Sequence, residues 1–218
     1  MKLETVRIHI DQAGLAFRGA FHPDDGEPGH TLVLVGFAGA VGWPAFAAAP
    51  EASDGEPDPL DRWSRRVVTV LAADLGAKAL FPFDGPPYLP FQRWALQAEP
   101  VHSSPLGILI HPEWGLWHAY RGALAFPELF DLPALDTRPS PCDSCTDRPC
   151  LTACPVGAFT TSGYDVPSCI GHIASPAGAA CMEFGCRARL ACPVGATYRH
   201  DRQRAAFHMR AFRAAFRP

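Results

Sequence analysis

All eight cysteines of this 218-residue chain fall between Cys142 and Cys192, and no other feature constrains the fold of the second half as strongly. Cys142, Cys145, Cys150 and Cys154 follow the pattern C-x2-C-x4-C-x3-C and run into Pro155. Cys181, Cys186 and Cys192 follow C-x4-C-x5-C and run into Pro193, with Cys169 alone between the two groups. Each group closes on the same pentapeptide, Cys-Pro-Val-Gly-Ala, at 154–158 and 192–196. The opening Met1-Lys2-Leu3-Glu4 leads into charged, alternating residues and not into the apolar segment of a secretory signal, so the expected location is the cytoplasm. A cytoplasmic chain does not need disulfides at this density, which makes metal ligation the default reading of the thiols.

Four thiolates on short loops can hold zinc or an iron–sulfur cluster. Structural zinc commonly takes two C-x2-C pairs set apart by a spacer, and only Cys142 and Cys145 form such a pair. Clusters of the bacterial ferredoxin type use three closely spaced cysteines plus a fourth, before proline, that serves the other cluster. The twin Cys-Pro-Val-Gly-Ala segments imply a pseudo-twofold pair of clusters, so iron–sulfur is the preferred class and zinc the remaining one.

On these motifs, residues 139–200 resemble a two-cluster bacterial ferredoxin domain, and the lone Cys169 in Ser-Cys-Ile-Gly-His resembles the middle cysteine of epoxyqueuosine reductases. The resemblance implies two [4Fe–4S] clusters with crossed ligands: Cys142, Cys145, Cys150 and Cys192 on one, Cys154, Cys169, Cys181 and Cys186 on the other. Thr146 to Pro149 put four residues where ferredoxins usually have two, and the second group is also stretched. Longer loops change which amides face the sulfurs, and with them the potential. Residues 104–117 are similar to the strand-and-turn segment before the clusters of epoxyqueuosine reductases and reductive dehalogenases, whose α/β portion binds a corrinoid. That similarity makes a corrinoid the additional cofactor to look for. Asp84 and Glu99 are weak stand-ins for the proton-donating acid of those enzymes.

The fold class expected is α+β: a small α/β domain over 1–138, then a ferredoxin-like two-cluster module with a C-terminal helix over 139–218. A hydrophobic share of 48% with 19% charged residues excludes wholesale disorder, and 23 prolines with 19 glycines argue against a long helical bundle. Val6 to Ile10 and Leu15 to Phe21 alternate as an antiparallel strand pair, and Thr31 to Val35 reads as a strand buried on both faces. Leu60 to Leu75 has helical spacing with Trp63, Val67, Val70 and Leu71 on one side, started by Asp58 or Asp61. Leu106 to Ile110 reads as a further buried strand. Thr31 to Pro50 is twenty residues without a charge, but its glycines and Pro44 suit a strand and turn better than a membrane span. Gly36, Gly39 and Gly42 match neither the dinucleotide nor the phosphate-loop spacing and read as turns.

His172, three residues after Cys169, is the candidate cofactor-binding residue beyond the thiols, either donating to a sulfur or solvated. His111, before Pro112, reads as a turn cap, and Trp114, Trp117 and His118 as a packed helical face. Eight of the chain's 19 Lys and Arg lie in 187–218 against the single acid Asp201. Such a tail could dock an acidic partner or nucleic acid, and a solvated helix face is the simpler reading, so nucleic acid is set aside. In the C-terminal helix, Phe207, His208, Ala211, Phe212 and Ala215 share one face, and Arg210, Arg213 and Arg217 the other. The function expected is electron transfer with a redox partner protein and no membrane. The alternative is a corrinoid-dependent reductase whose clusters feed a cobalt centre, an oxidoreductase on a small-molecule substrate.

Overall fold

The structure, a computed structural model, describes residues 1–24, 26–160 and 163–216; Arg217 lies outside them. In chain order the elements are α1 (Leu3–Gln12), β1 (Ala16–Phe21), β2 (Thr31–Ala38), α2 (Trp43–Ala47), α3 (Pro59–Asp74), β3 (Lys78–Leu80), α4 (Phe91–Ala98), β4 (His102–Ser103), β5 (Leu109–Ile110) and β6 (His118–Phe126). The cysteine-bearing half follows with α5 (Pro149–Thr152), β7 (Phe159–Thr160), β8 (Gly163–Tyr164), α6 (Val166–Ala174), α7 (Ala179–Phe184), α8 (Arg187–Ala191) and α9 (Arg202–Ala215). The chain is a mixed α+β protein with two compact units. One is Met1–Pro100 with His118–Thr137; the other is Val101–Trp117 with Arg138–Pro218. Residues 101–117 therefore group with the cysteines and not, as the 1–138 boundary has it, with the preceding residues. The reason is burial: Leu106, Ile110 and Leu116 share a core with Ala188 and Cys192.

In the first unit the sheet runs β1-β2-β6-β3 with every pairing antiparallel, so this unit is α+β and not α/β. All eight residues of β2 are buried, as a Val- and Leu-rich run between two paired neighbours should be. α3 packs on β6 and β3, and α4 and α1 pack on β1. The alternating segment Val6 to Ile10 lies in α1 and is not a strand. Val6 and Ile10, four apart, point inward together while Ile8 stays 48% exposed, which only a helical period allows. In α3 the buried face is Leu60, Trp63, Ser64, Val68, Leu71 and Ala72, and Val70 points to water. Ser64 is tolerated there because its hydroxyl donates to the Leu60 carbonyl at 2.6 Å and accepts from Arg121 Nε at 2.9 Å. Asp58 stands at the N-cap without a side-chain cap bond. The uncharged stretch 31–50 forms β2, a turn and α2, and no helix among the described residues is long and apolar enough to cross a membrane.

The two candidate acids are both held by arginines. Asp84 pairs with Arg65 at the surface. Glu99 is buried and takes a bidentate pair from Arg18, whose side chain is fully shielded from water. Arg18 also donates to the Phe37 carbonyl at 2.5 Å, and the Tyr120 hydroxyl donates to Glu99. Removing one member of such a pair strands the other charge. Glu99→Ala should therefore lower the unfolding free energy by about 3–5 kcal/mol in urea titration. Adding Arg18→Met should recover much of that loss; a single-variant loss below about 1 kcal/mol would mean that water already reaches the pair.

Candidate functional site

Four of the thiols are positioned by two short helices that pack on each other, α5 and α8, while Cys169 lies in α6, Cys181 in α7, and Cys142 and Cys145 in the segment before α5. Pro149 occupies the first turn of α5, which carries Cys150 and releases Cys154 just beyond its end. α8 has Cys186 at its N-cap and Cys192 at its C-cap. Pro155 and Pro193 then stop both helices, and Gly157 and Gly195 turn the chain with φ of 59° and 66°. In the first turn the Gly157 N–H donates to the Cys154 carbonyl at 3.1 Å and the Ala158 N–H to Cys154 Sγ at 3.4 Å.

The second turn is wedged. A Cβ on Gly195 would stand 2.4 Å from the Trp114 carbonyl, and one on Gly115 would stand 2.0 Å from the Val194 carbonyl. The turn 111–115 thus lies backbone to backbone against the Cys192 loop. His111 holds that turn, its Nδ1 accepting from the Glu113 and Trp114 N–H groups at 3.0 and 3.3 Å. Trp114 and Trp117 lie in this turn segment and His118 opens β6, so the three do not share a helical face.

The charges that thiolates exert on one another sort the cysteines into two sets. Burial pushes the Cys142 thiol up, and the charges of Cys192, Cys150 and Cys145 add to it. Cys150 is raised by burial, then by Cys192 and Cys145. Cys192 is raised by burial, opposed by the Val194 N–H, and raised again by Cys145. In the other set burial raises Cys181 and Cys186, and the charges of Cys169 and Cys154 raise both. Backbone N–H groups oppose this: Arg187 donates to Cys181, and Arg189 and Ala188 donate to Cys186.

Cys154, Cys169, Cys181 and Cys186 line one cavity of about 380 Å³, closed largely by apolar side chains such as Leu106, Phe159, Ile173 and Phe212. His172 lines it too, with Nε2 3.8 Å from Cys181 Sγ. Among the described residues no three His, Cys, Asp or Glu side chains converge on a single-ion site. An all-sulfur donor set, amides aimed at the sulfurs and a cavity between them fit an iron–sulfur core. α9 contributes His208, Met209 and Phe212 to this wall, while Ala211 and Ala215 face water. The inward face is therefore turned from the expected one, because Arg204 and Ala205 are the buried residues at its start.

Tyr164 and Arg189 were missed by sequence reasoning. Tyr164 lines the cavity, stacks on Phe159 at 4.7 Å and hydrogen-bonds Cys169. Burial raises its hydroxyl pKa far up, and the Cys169 contact and charge add to the shift. Arg189 sits midway between Cys186 and Cys192 on α8, a spacing that could have drawn notice. No family profile, curated protein or solved structure matches the chain.

The two turns respond differently to substitution. Gly157 has open space around its Cβ position, so Gly157→Ala should cost about 1 kcal/mol, the left-handed backbone alone. Gly195→Ala adds the clash with Trp114 and should cost about 2–3 kcal/mol, with faster labelling of Cys192 by a thiol reagent in the metal-free protein. Equal losses in the two variants would refute the backbone contact.

Proposed function

We propose that this chain is an electron-transfer protein whose Cys-rich unit is a ferredoxin-like module for two [4Fe–4S] clusters, acting with a redox partner protein in the cytoplasm. The observation that carries the reading is the cavity walled by Cys154, Cys169, Cys181 and Cys186, with Cys142, Cys145, Cys150 and Cys192 forming a second charge-linked set.

When bound, such clusters supply reversible one-electron exchange. The chain's own residues set the conditions for it. Burial excludes water from Cys181 and Cys192, each under a tenth exposed, which protects thiolate ligation from hydrolysis and oxygen. N–H donors from Ala158, Ala188 and Arg189 neutralise part of the charge on Cys154 and Cys186. His172 stands beside Cys181 and can offer a further proton to the sulfur. α5 and α8 each carry one thiol of either set, so both sites share one rigid support.

Anaerobic purification followed by metal analysis tests this. About eight iron and eight sulfide per chain are expected, with a broad visible charge-transfer band. Cys145→Ala and Cys192→Ala should each remove about half of the iron and leave the same residual spectrum, and Cys181→Ala should leave the complementary one. Zinc without sulfide would overturn the reading. Stoichiometric cobalt beside the iron would replace the carrier by a corrinoid-dependent reductase.

A further inference from the structure

Arg189 is a half-buried cation, and no ion pair with a carboxylate is found for it among the described residues. Its Nε donates to the Leu116 carbonyl at 3.1 Å, its Nη2 donates to the same oxygen, and its guanidinium lies 4.4 Å from the centroid of the Trp117 indole. These partners fix the plane of the group and carry no charge. The Arg189 backbone N–H donates to the Cys186 sulfur, so the guanidinium and that thiol belong to one turn of α8. Arg189 also lines the cavity of Cys154, Cys169, Cys181 and Cys186.

The surroundings are electropositive. Arg204 of α9 is 5% exposed, and burial and the Arg189 charge lower it to about 10 while Asp201 opposes them. Burial, then Arg189, Arg204 and His208, keep His200 neutral. Cations are removed from water only where an anion compensates them. The compensation available to Arg189 is the sulfur site.

Resting on the cluster reading above, we propose that Arg189 is the counter-charge of the four-thiol site of Cys154, Cys169, Cys181 and Cys186, setting how readily a cluster there accepts an electron. Reduction adds one negative charge to a site that is already anionic, and a cation held in a low dielectric stabilises the reduced form more than the oxidised one. Arg187 provides the internal control. It lines the same cavity and its charge acts on Cys181, but it is exposed, so water and salt screen it.

The test is a redox titration of the anaerobically purified full chain, read by electron paramagnetic resonance, with iron and sulfide counted in each sample. Arg189→Gln should keep both clusters and move one potential to more negative values, and Cys181→Ala identifies which cluster moved. Arg189→Lys should stay near the wild type, and Arg187→Gln should move less than Arg189→Gln. Full iron with an unchanged potential in Arg189→Gln overturns the proposal. If Arg189→Gln loses iron, Arg189→Lys decides: retained iron at near-wild-type potential supports the charge role, and loss of iron there too overturns it. Wild-type protein without iron and sulfide sinks the cluster reading itself, a result distinct from either.

Discussion

The packing of α5 against α8 is the constraint on which the cysteine-rich unit depends. Each helix is four or five residues long, too short to be stable alone, so each depends on tertiary packing. One begins with a thiol of the first set and ends before a thiol of the second; the other begins with the second and ends with the first. The buried Ala188 and the core of Leu106, Ile110 and Leu116 hold that pair in place.

Around the second set, charge and burial work against each other. Burial raises thiol pKa values and so opposes the thiolate form that ligation needs. N–H donors from the start of α8, the nearby guanidinium groups and Tyr164 act in the opposite direction by stabilising negative sulfur. A site built this way sets amide N–H groups against buried thiols in a largely apolar wall.

Much of this could be read from the amino acids. The twin Cys-Pro-Val-Gly-Ala segments announced two equivalent turns, and the turns share their left-handed glycine. Thr31 to Val35 declared a buried strand because an uninterrupted apolar run has no solvent face to spare. The short alternation of Val6, Ile8 and Ile10 misled, since residues four apart satisfy both periods and only the exposure of Ile8 separates them. Residues 101–117 were placed with the wrong unit because chain order carries no information about which core an apolar segment joins. Arg189 went unassigned for a related reason: an arginine near a basic terminus reads as a surface charge until the fold sets it against an indole.

The length of α8 has a consequence for how this unit can change. Cys186 and Cys192 stand at its two ends, and each helical residue adds about 1.5 Å of rise and about 100° of rotation. One inserted residue would therefore swing a thiol by more than a quarter turn about the helix, instead of lengthening the gap slightly. The helix therefore resists changes of length, so variation should accumulate in the loop around Thr146 and spare the five residues from Arg187 to Ala191.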